Sequence, residues 1–316
     1  MRRGRGLGIA LAMGLACASQ VARAQAQPDY RTASPRALVD AWKTATQHDR
    51  AELAVAMVER RSEMRPTLWD AARFGDTQDK VFACGMIAEM RDHDGVDAVV
   101  AATDDSDVRV RRRAATALRV LADRRAAPRL RELVRNDADL GVLKTALAGL
   151  GRLGLVRDVN VIAPFIANAD EGVRVVAAGS LAMLGDERGL ALVLQATTSS
   201  DPGVQKSATY ALGFFQANAA SDRLQAILAD PQGAWKGYAQ VALAERALAG
   251  KSASAQVALL DSLANGRSRT LASWSVDRLT DLNTPAAADV LRKVTTRQTP
   301  VAQVAARRLL LIGAQP

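Results

Sequence analysis

Apolar residues recur along this chain at fixed distances from an aspartate. Asp107 to Leu118 (DVRVRRRAATAL), Asp139 to Leu150 (DLGVLKTALAGL), Asp170 to Leu181 (DEGVRVVAAGSL) and Asp201 to Leu212 (DPGVQKSATYAL) align without gaps. Their shared pattern is D-x-x-V-x-x-x-A-x-x-(A/G/S)-L. At 100° per residue, offsets 3, 7, 10 and 11 from the aspartate fall on one face, which predicts a helix with a buried stripe. The small residues at offsets 7 and 10 let neighbouring helices approach closely. Weaker copies begin at Asp79 (DKVFACGMIAEM), Gln232 (QGAWKGYAQVAL), Asn265 (NGRSRTLASWSV) and Thr299 (TPVAQVAARRLL). The anchors 79, 107, 139, 170, 201, 232, 265 and 299 are 28 to 34 residues apart, a sustained spacing that marks a stacked repeat array. Trp235, at offset 3 of its copy, is assigned to the core.

The punctuation fits the same units. Asp, Asn or Thr at an anchor serves as an N-cap, with Pro202 and Pro300 at the first helical position behind it. Breaks such as Leu153-Gly154 and Leu184-Gly185-Asp186 end the first helix of a unit. A shorter second helix follows, as at Ala127 to Val134, Val161 to Ile166 and Arg223 to Leu228. Two helices in about 31 residues make a helical solenoid. No period-2 strand pattern occurs. Only 4% of the 316 residues are aromatic, which suits many small aliphatic contacts between stacked helices.

The D-x-x-V-R…A…L-G-D run from Asp170 to Asp186 resembles the HEAT repeat, and its short period is similar to the HEAT-like repeats of the phycobilisome lyase type. The resemblance implies an all-α, right-handed solenoid of about eight stacked helix pairs over residues 79–316. Residues 25–78 are expected to form a linker and an atypical helical N-terminal cap. There Ser34-Pro35 opens a helix whose apolar stripe is Leu38, Val39 and Trp42. The scaffold hosts many activities and does not by itself specify one.

Residues 1–24, or 1–26, have the layout of a cleavable secretory signal. Arg2, Arg3 and Arg5 precede the apolar run Leu7 to Ala18, and the small-x-small sites Ala22-Arg23-Ala24 and Ala24-Gln25-Ala26 follow. A periplasmic or secreted protein is expected. Lipoprotein anchoring through Cys17 is the less favoured reading, because Gly14 stands where such signals usually carry Leu. Cleavage removes four arginines, leaving 38 basic against 33 acidic residues, a net charge of +5 in place of +9. Cys84 then remains as the single cysteine, so no internal disulfide forms. No further apolar run is long enough to form an integral membrane segment.

Candidate chemistry is sparse. The two histidines, His48 and His93, each precede an aspartate, whereas di-iron HEAT-repeat hydroxylases use repeated His-Glu pairs. No metal site, nucleophile motif, Walker loop or dinucleotide fingerprint is present, so no catalytic residue and no cofactor are expected. Bilin lyase activity, which the resemblance suggests, conflicts with an export signal. Charge is the most uneven feature: ten arginines lie between Arg109 and Arg135 against Asp123 and Glu132. Repeat-to-repeat pairing, with Asp170 meeting Arg111 or Arg174, is one account, and a docking patch for an acidic partner is the other. Nucleic acid is a poor partner given export, few aromatics and a modest charge.

Opposite the buried stripe, offsets 5 and 9 define the face taken as the concave, partner-binding one, on the side where second helices line a HEAT-like stack. Its candidate contacts are Arg112, Lys144, Lys206, Tyr210, Trp274 and Arg308, basic in early repeats and aromatic in later ones. Cys84 also falls there and is read as a small packed residue. The expected function is an exported scaffold or adaptor that binds a protein. The alternatives are a binder of an anionic envelope component and an enzyme or lyase subunit of the HEAT-like type.

Overall fold

The computed structural model describes residues 30–297 and 301–311. The signal segment, Cys17, the anchor Thr299 with Pro300, and the His48 side chain lie outside what is described. Among the described residues the chain forms eighteen α-helices and no strand. They are α1 (Pro35–Thr44), α2 (Gln47–Glu59), α3 (Arg61–Phe74), α4 (Thr77–Glu89), α5 (Val96–Ala102), α6 (Val108–Leu121), α7 (Ala127–Asn136), α8 (Leu140–Leu153) and α9 (Val159–Ile162). There follow α10 (Glu171–Met183), α11 (Leu190–Ala196), α12 (Pro202–Ala211), α13 (Asn218–Ala229), α14 (Lys236–Leu248), α15 (Ala253–Ala264), α16 (Arg269–Leu282), α17 (Pro285–Thr295) and α18 (Ala302–Leu309).

The chain divides into two compact units, Met1–Met57 and Val58–Pro316. In the first, Ser34 caps α1 by accepting from the Ala37 N–H, Pro35 takes the first turn, and Leu38 and Val39 are buried. Trp42 lies under the Arg50 guanidinium, 5.5 Å from ring centroid to carbon.

The second unit is the repeat solenoid. All sixteen residues at offsets 3, 7, 10 and 11 of the four best copies are buried. Offset 8 (Ala115, Leu147, Ala178, Thr209) is buried as well, because the first helix of each unit packs on its counterparts in the units before and after it. These helices, α4, α6, α8, α10, α12, α14, α16 and α18, form one continuous row. The aspartates cap as expected: Asp107, Asp139, Asp170 and Asp201 accept from N–H groups of their own first turns at 2.8, 3.0, 2.7 and 2.6 Å. In the weaker copies the helix starts three residues away from the expected anchor, with caps at Asp76, Trp235 and Ser268. Three residues amount to 300° of helical rotation, so Trp235 is not a core residue. It sits half-buried at a helix start, its indole N–H donating to Gln205 Oε1 at 3.0 Å.

A second layer of the repeat concerns the loop before each anchor. Asp105, Asp137, Asn168 and Ser199, each two residues upstream, accept from the anchor N–H at 2.8, 2.9, 2.9 and 3.2 Å. The long side chain at offset 4 donates back to that loop: Arg111 to the Asp105 and Ser106 carbonyls, Arg174 to Asn168 and Ala169, Gln205 to Ser199. Loop polar groups are thereby satisfied without sheet or water.

Part of the arginine-rich stretch is committed to neighbouring units. Lys80 pairs with Asp105 (2.6 Å), Arg111 with Asp137 (2.8 Å), Arg112 with Asp139 (2.6 Å), Arg129 with Asp104 (2.5 Å) and Arg131 with the buried Asp158 (2.6 Å). The expected ladder is corrected in detail. Arg111 reaches the loop ahead of the next anchor, Arg174 its own loop, and Asp170 is met by Lys144 at 3.7 Å. Arg112 donates two hydrogen bonds to Asp139 and holds that carboxyl at about 2, below the usual 3.8. The pair therefore persists above about pH 3.8 and is lost as the pH falls towards 2.

Adjacent members of the row touch through backbone. A Cβ on Gly151 would stand 2.8 Å from Ser180 Cα, and one on Gly213 would stand 2.9 Å from both Cα and the carbonyl oxygen of Ala242. Several of these helices stop at or just before a left-handed residue, Gly at 154, 185 and 250, Asn at 283 and Arg at 91, but Ala at 122 (φ 50°). Replacing Ala122 by Gly is expected to raise unfolding free energy by about 0.5–1 kcal/mol, since a Cβ is strained there. Gly213→Ala is expected to lower it by about 1–3 kcal/mol. Urea unfolding of both variants checks the pair, and a destabilising Ala122→Gly would contradict the assignment.

Candidate partner-binding site

The row of first helices curves until its ends meet, and this sets the geometry of the inner face. Arg91, after α4, pairs with Asp281 of α16 at 3.1 Å, and Arg152 of α8 reaches the same carboxylate at 2.9 Å. Arg308 of α18 is buried between Glu89 of α4 (3.0 Å) and Asp277 of α16 (2.9 Å). The Asp-capped first helices therefore line the inner side. This corrects the expectation that second helices would line it.

On this inner face a groove of about 480 Å³ runs across α8, α10 and α12. Its floor is small and apolar, with Ala148, Val175, Val176 and Gly179, because those helices are nearly in contact there; a Cβ on Gly179 would stand 3.0 Å from that of Ala211. Lys144 and Lys206 stand on its walls. Lys144 lies over Gly172, where any side chain would obstruct it. Lys206 Nζ is 5.9 Å from the centroid of the Tyr238 ring. Tyr210 and Phe214, stacked edge-to-face at 5.1 Å, close the inner end together with Arg119. Burial, then the nearby Glu245 carboxylate, push the Tyr210 hydroxyl up to about 12. Burial, then the Arg152 charge, lower Arg119.

Of the six residues read from the helical wheel, the structure gathers Lys144, Lys206 and Tyr210 in one groove. Arg112 lies outside its lining and is engaged by Asp139. Trp274 does not stand free: it packs on the cluster around Val276, Leu279 and Leu291, and its N–H donates to Glu245 at 3.1 Å. Arg308 is a buried tie between the two ends of the unit and not a surface contact. Arg308 is displaced from an open face by the curling of the row, which a local periodicity does not encode, and Trp274 by the shift of its helix cap from Asn265 to Ser268. Cys84 is fully buried, and burial pushes its thiol up to about 12, which keeps it protonated and unreactive at neutral pH. His93 Nδ1 lies 3.5 Å from Asp123. Among the described residues no group of three or more His, Cys, Asp or Glu could hold a metal ion, and no helix is long and apolar enough to cross a membrane.

The groove residues missed in the sequence are Arg119, Met183 and Phe214, at offsets 12 and 13. Their signal was the extra turn that carries these helices past offset 11 towards the centre.

The family model for HEAT repeats matches residues 65–151 and 159–244. Comparison with curated proteins returns no match. Among solved structures, the complex of CpcE and CpcF of phycocyanin lyase from Nostoc sp. PCC7120 is similar in fold. Its TM-score is 0.53 at 20% identity, over 73% of this chain and 95% of that one. Weaker likenesses are to human deoxyhypusine hydroxylase in complex with glycerol and to a designed armadillo repeat protein in complex with the peptide (KR)4. The hydroxylase has a TM-score of 0.38 at 15% identity over 80% and 97% of the two chains. The armadillo protein has a TM-score of 0.36 at 15% identity over 57% and 98%.

The placements of Trp274 and Lys206 yield a contrast. Trp274→Ala should lower unfolding free energy by about 3 kcal/mol, as for a packed aromatic. Lys206→Ala should change it by less than about 0.5 kcal/mol. Thermal melts of both variants decide it, and a neutral Trp274→Ala would return that ring to the open face.

Proposed function

The chain belongs to the HEAT-repeat family, and we propose that it is an exported scaffold whose inner groove binds an extended segment of a partner protein. The observation that carries this reading is the groove itself, with an apolar floor crossing three repeats and a lysine on each wall. Lys144 and Lys206 are two units apart, roughly 20 Å at the usual 8–10 Å between packed helices. An extended strand of about six residues spans that distance. Acidic side chains near its two ends would meet the lysines, while its middle covers Val175, Val176 and Gly179. Tyr210, protonated at neutral pH, offers an O–H donor at the inner end.

On this reading the chain is a binding protein and no residue is assigned a catalytic role. The lysines and tyrosine act as contacts, and the likeness to a lyase complex transfers the fold alone. Export rests on the basic, apolar and small-residue order of residues 1–26, and it places the protein in the periplasm or outside the cell.

Crosslinking in the native compartment followed by mass spectrometry identifies the partner and the mature N-terminus together. The expected N-terminus is Gln25 or Gln27. Lys144→Glu with Lys206→Glu should weaken partner binding by more than about tenfold, since charge reversal on a wall repels an acidic segment. Arg292→Glu, on the exposed side of α17, should leave it within about twofold. Intact Met1 on the recovered protein would reject export, and equal affinity of the groove variant would reject the groove.

A further inference from the structure

Where the two ends of the repeat unit meet, a second cavity of about 380 Å³ opens, separate from the groove. Arg61 and Arg65 of α3, Arg91 after α4 and Arg152 of α8 line it with His93, and Asp281 is the carboxylate among its lining residues. Among the lining residues four arginines meet that one carboxylate. Asp281 serves Arg91 at 3.1 Å and Arg152 at 2.9 Å, and Arg278 lies 3.8 Å away. Arg65 is met by Asp92 and Asp94 at 3.1 and 3.3 Å. Arg278 has a nearer partner in Glu245 at 3.6 Å, so Arg91 and Arg152 are the pair that share the Asp281 carboxylate. His93 has its own partner in Asp123.

Two further observations show strain in this arrangement. Arg91 Nε is buried with no hydrogen-bond partner, a donor that native structures rarely leave unmet. Burial, and then the charge of Arg65 beside it, lower Arg61 from its ordinary value. Arg61 reaches out to the carbonyls of Leu310 and Leu311, each at 3.5 Å, so it too joins the first helices to the last. Guanidinium forks converging from separate helices match the paired oxygens of a phosphate. A cavity of this size is in the range of small-molecule sites and exceeds a lone ion.

We propose that this cavity binds a multivalent phosphate-type anion and that the bound anion ties the two ends of the solenoid together. The anion supplies the acceptors that Asp281 alone does not, and it bridges residues from α3 and α8 to those beside α16. Its source is either a small soluble polyphosphorylated molecule or the headgroup of an anionic lipid, since both present the same oxygens.

Titration calorimetry of the full chain with inorganic tripolyphosphate at low ionic strength tests this. One saturable site is expected, and Arg61→Gln and Arg152→Gln should each weaken it at least about tenfold. Arg292→Gln, a surface arginine elsewhere, should leave it unchanged. Phenylglyoxal footprinting of the unsubstituted chain gives the same reading without relying on variants that fold. Tripolyphosphate should protect Arg61, Arg91 and Arg152 and leave Arg292 reactive. Cosedimentation with phosphatidylglycerol but not phosphatidylcholine vesicles, competed by tripolyphosphate, assigns the headgroup source; tripolyphosphate binding without vesicle binding assigns the soluble one. No saturable binding, or binding reduced equally by Arg292→Gln, would overturn the proposal.

Discussion

The structure depends on backbone-to-backbone contact along one row of helices. Gly151 lies against Ser180, Gly179 against Ala211 and Gly213 against Ala242, each so close that an added methyl would meet a main-chain or Cβ atom at about 3 Å. Spacing on this inner side is thus the least that packed helices permit, while the second helices bury larger side chains such as Leu130, Ile162, Val193 and Leu224. A stack narrow on one side and wide on the other must curve. Over eight units the curvature brings α16 and α18 back to α3 and α4, so the small residues of the repeat determine both where the groove lies and that the ends meet.

Much of the fold was legible because it is local. Offsets 3, 7, 10 and 11 are a property of one helix, and so are the aspartate caps and the glycine stops at 154 and 185. The weaker copies misled by a single turn: Asp76 and Asp79 both suit a cap, and nothing near Gln232 shows that α14 waits until Lys236. That slip moved Trp235 from the half-exposed start of a helix into the core. The candidate site was legible in part for the same reason. Lys144, Lys206 and Tyr210 lie in copies that keep the frame, whereas Trp274 belongs to a slipped copy whose helix is capped at Ser268, and Arg308 takes its surroundings from 219 positions away, at the Glu89 carbonyl. Ring closure of this kind has no signature in a 31-residue period.

Charge follows the same division. Between adjacent units several basic residues have an acidic counterpart in the neighbouring repeat, and four of the ten arginines between Arg109 and Arg135 are engaged in this way. Exposed pairs of this kind contribute little stability individually but fix the register of one unit on the next. At the centre the pairing runs short. Residues from units far apart in sequence are brought together there, and Arg91 and Arg152 share the Asp281 carboxylate. The acidic-segment groove and the arginine-lined cavity are thus two results of one geometry, the first along the row and the second at its seam.

The seam is the part of this account on which the most rests, and a double-mutant cycle across it is the most direct measurement. Glu89→Gln, Arg308→Gln and the double variant would be unfolded in urea beside the parent chain. Residues in one buried ion-pair network couple by about 0.5–3 kcal/mol, and a coupling of at least about 1 kcal/mol is expected here. Effects that simply add, within about 0.3–0.5 kcal/mol, would mean that α4 and α18 do not meet in solution and that the solenoid is open.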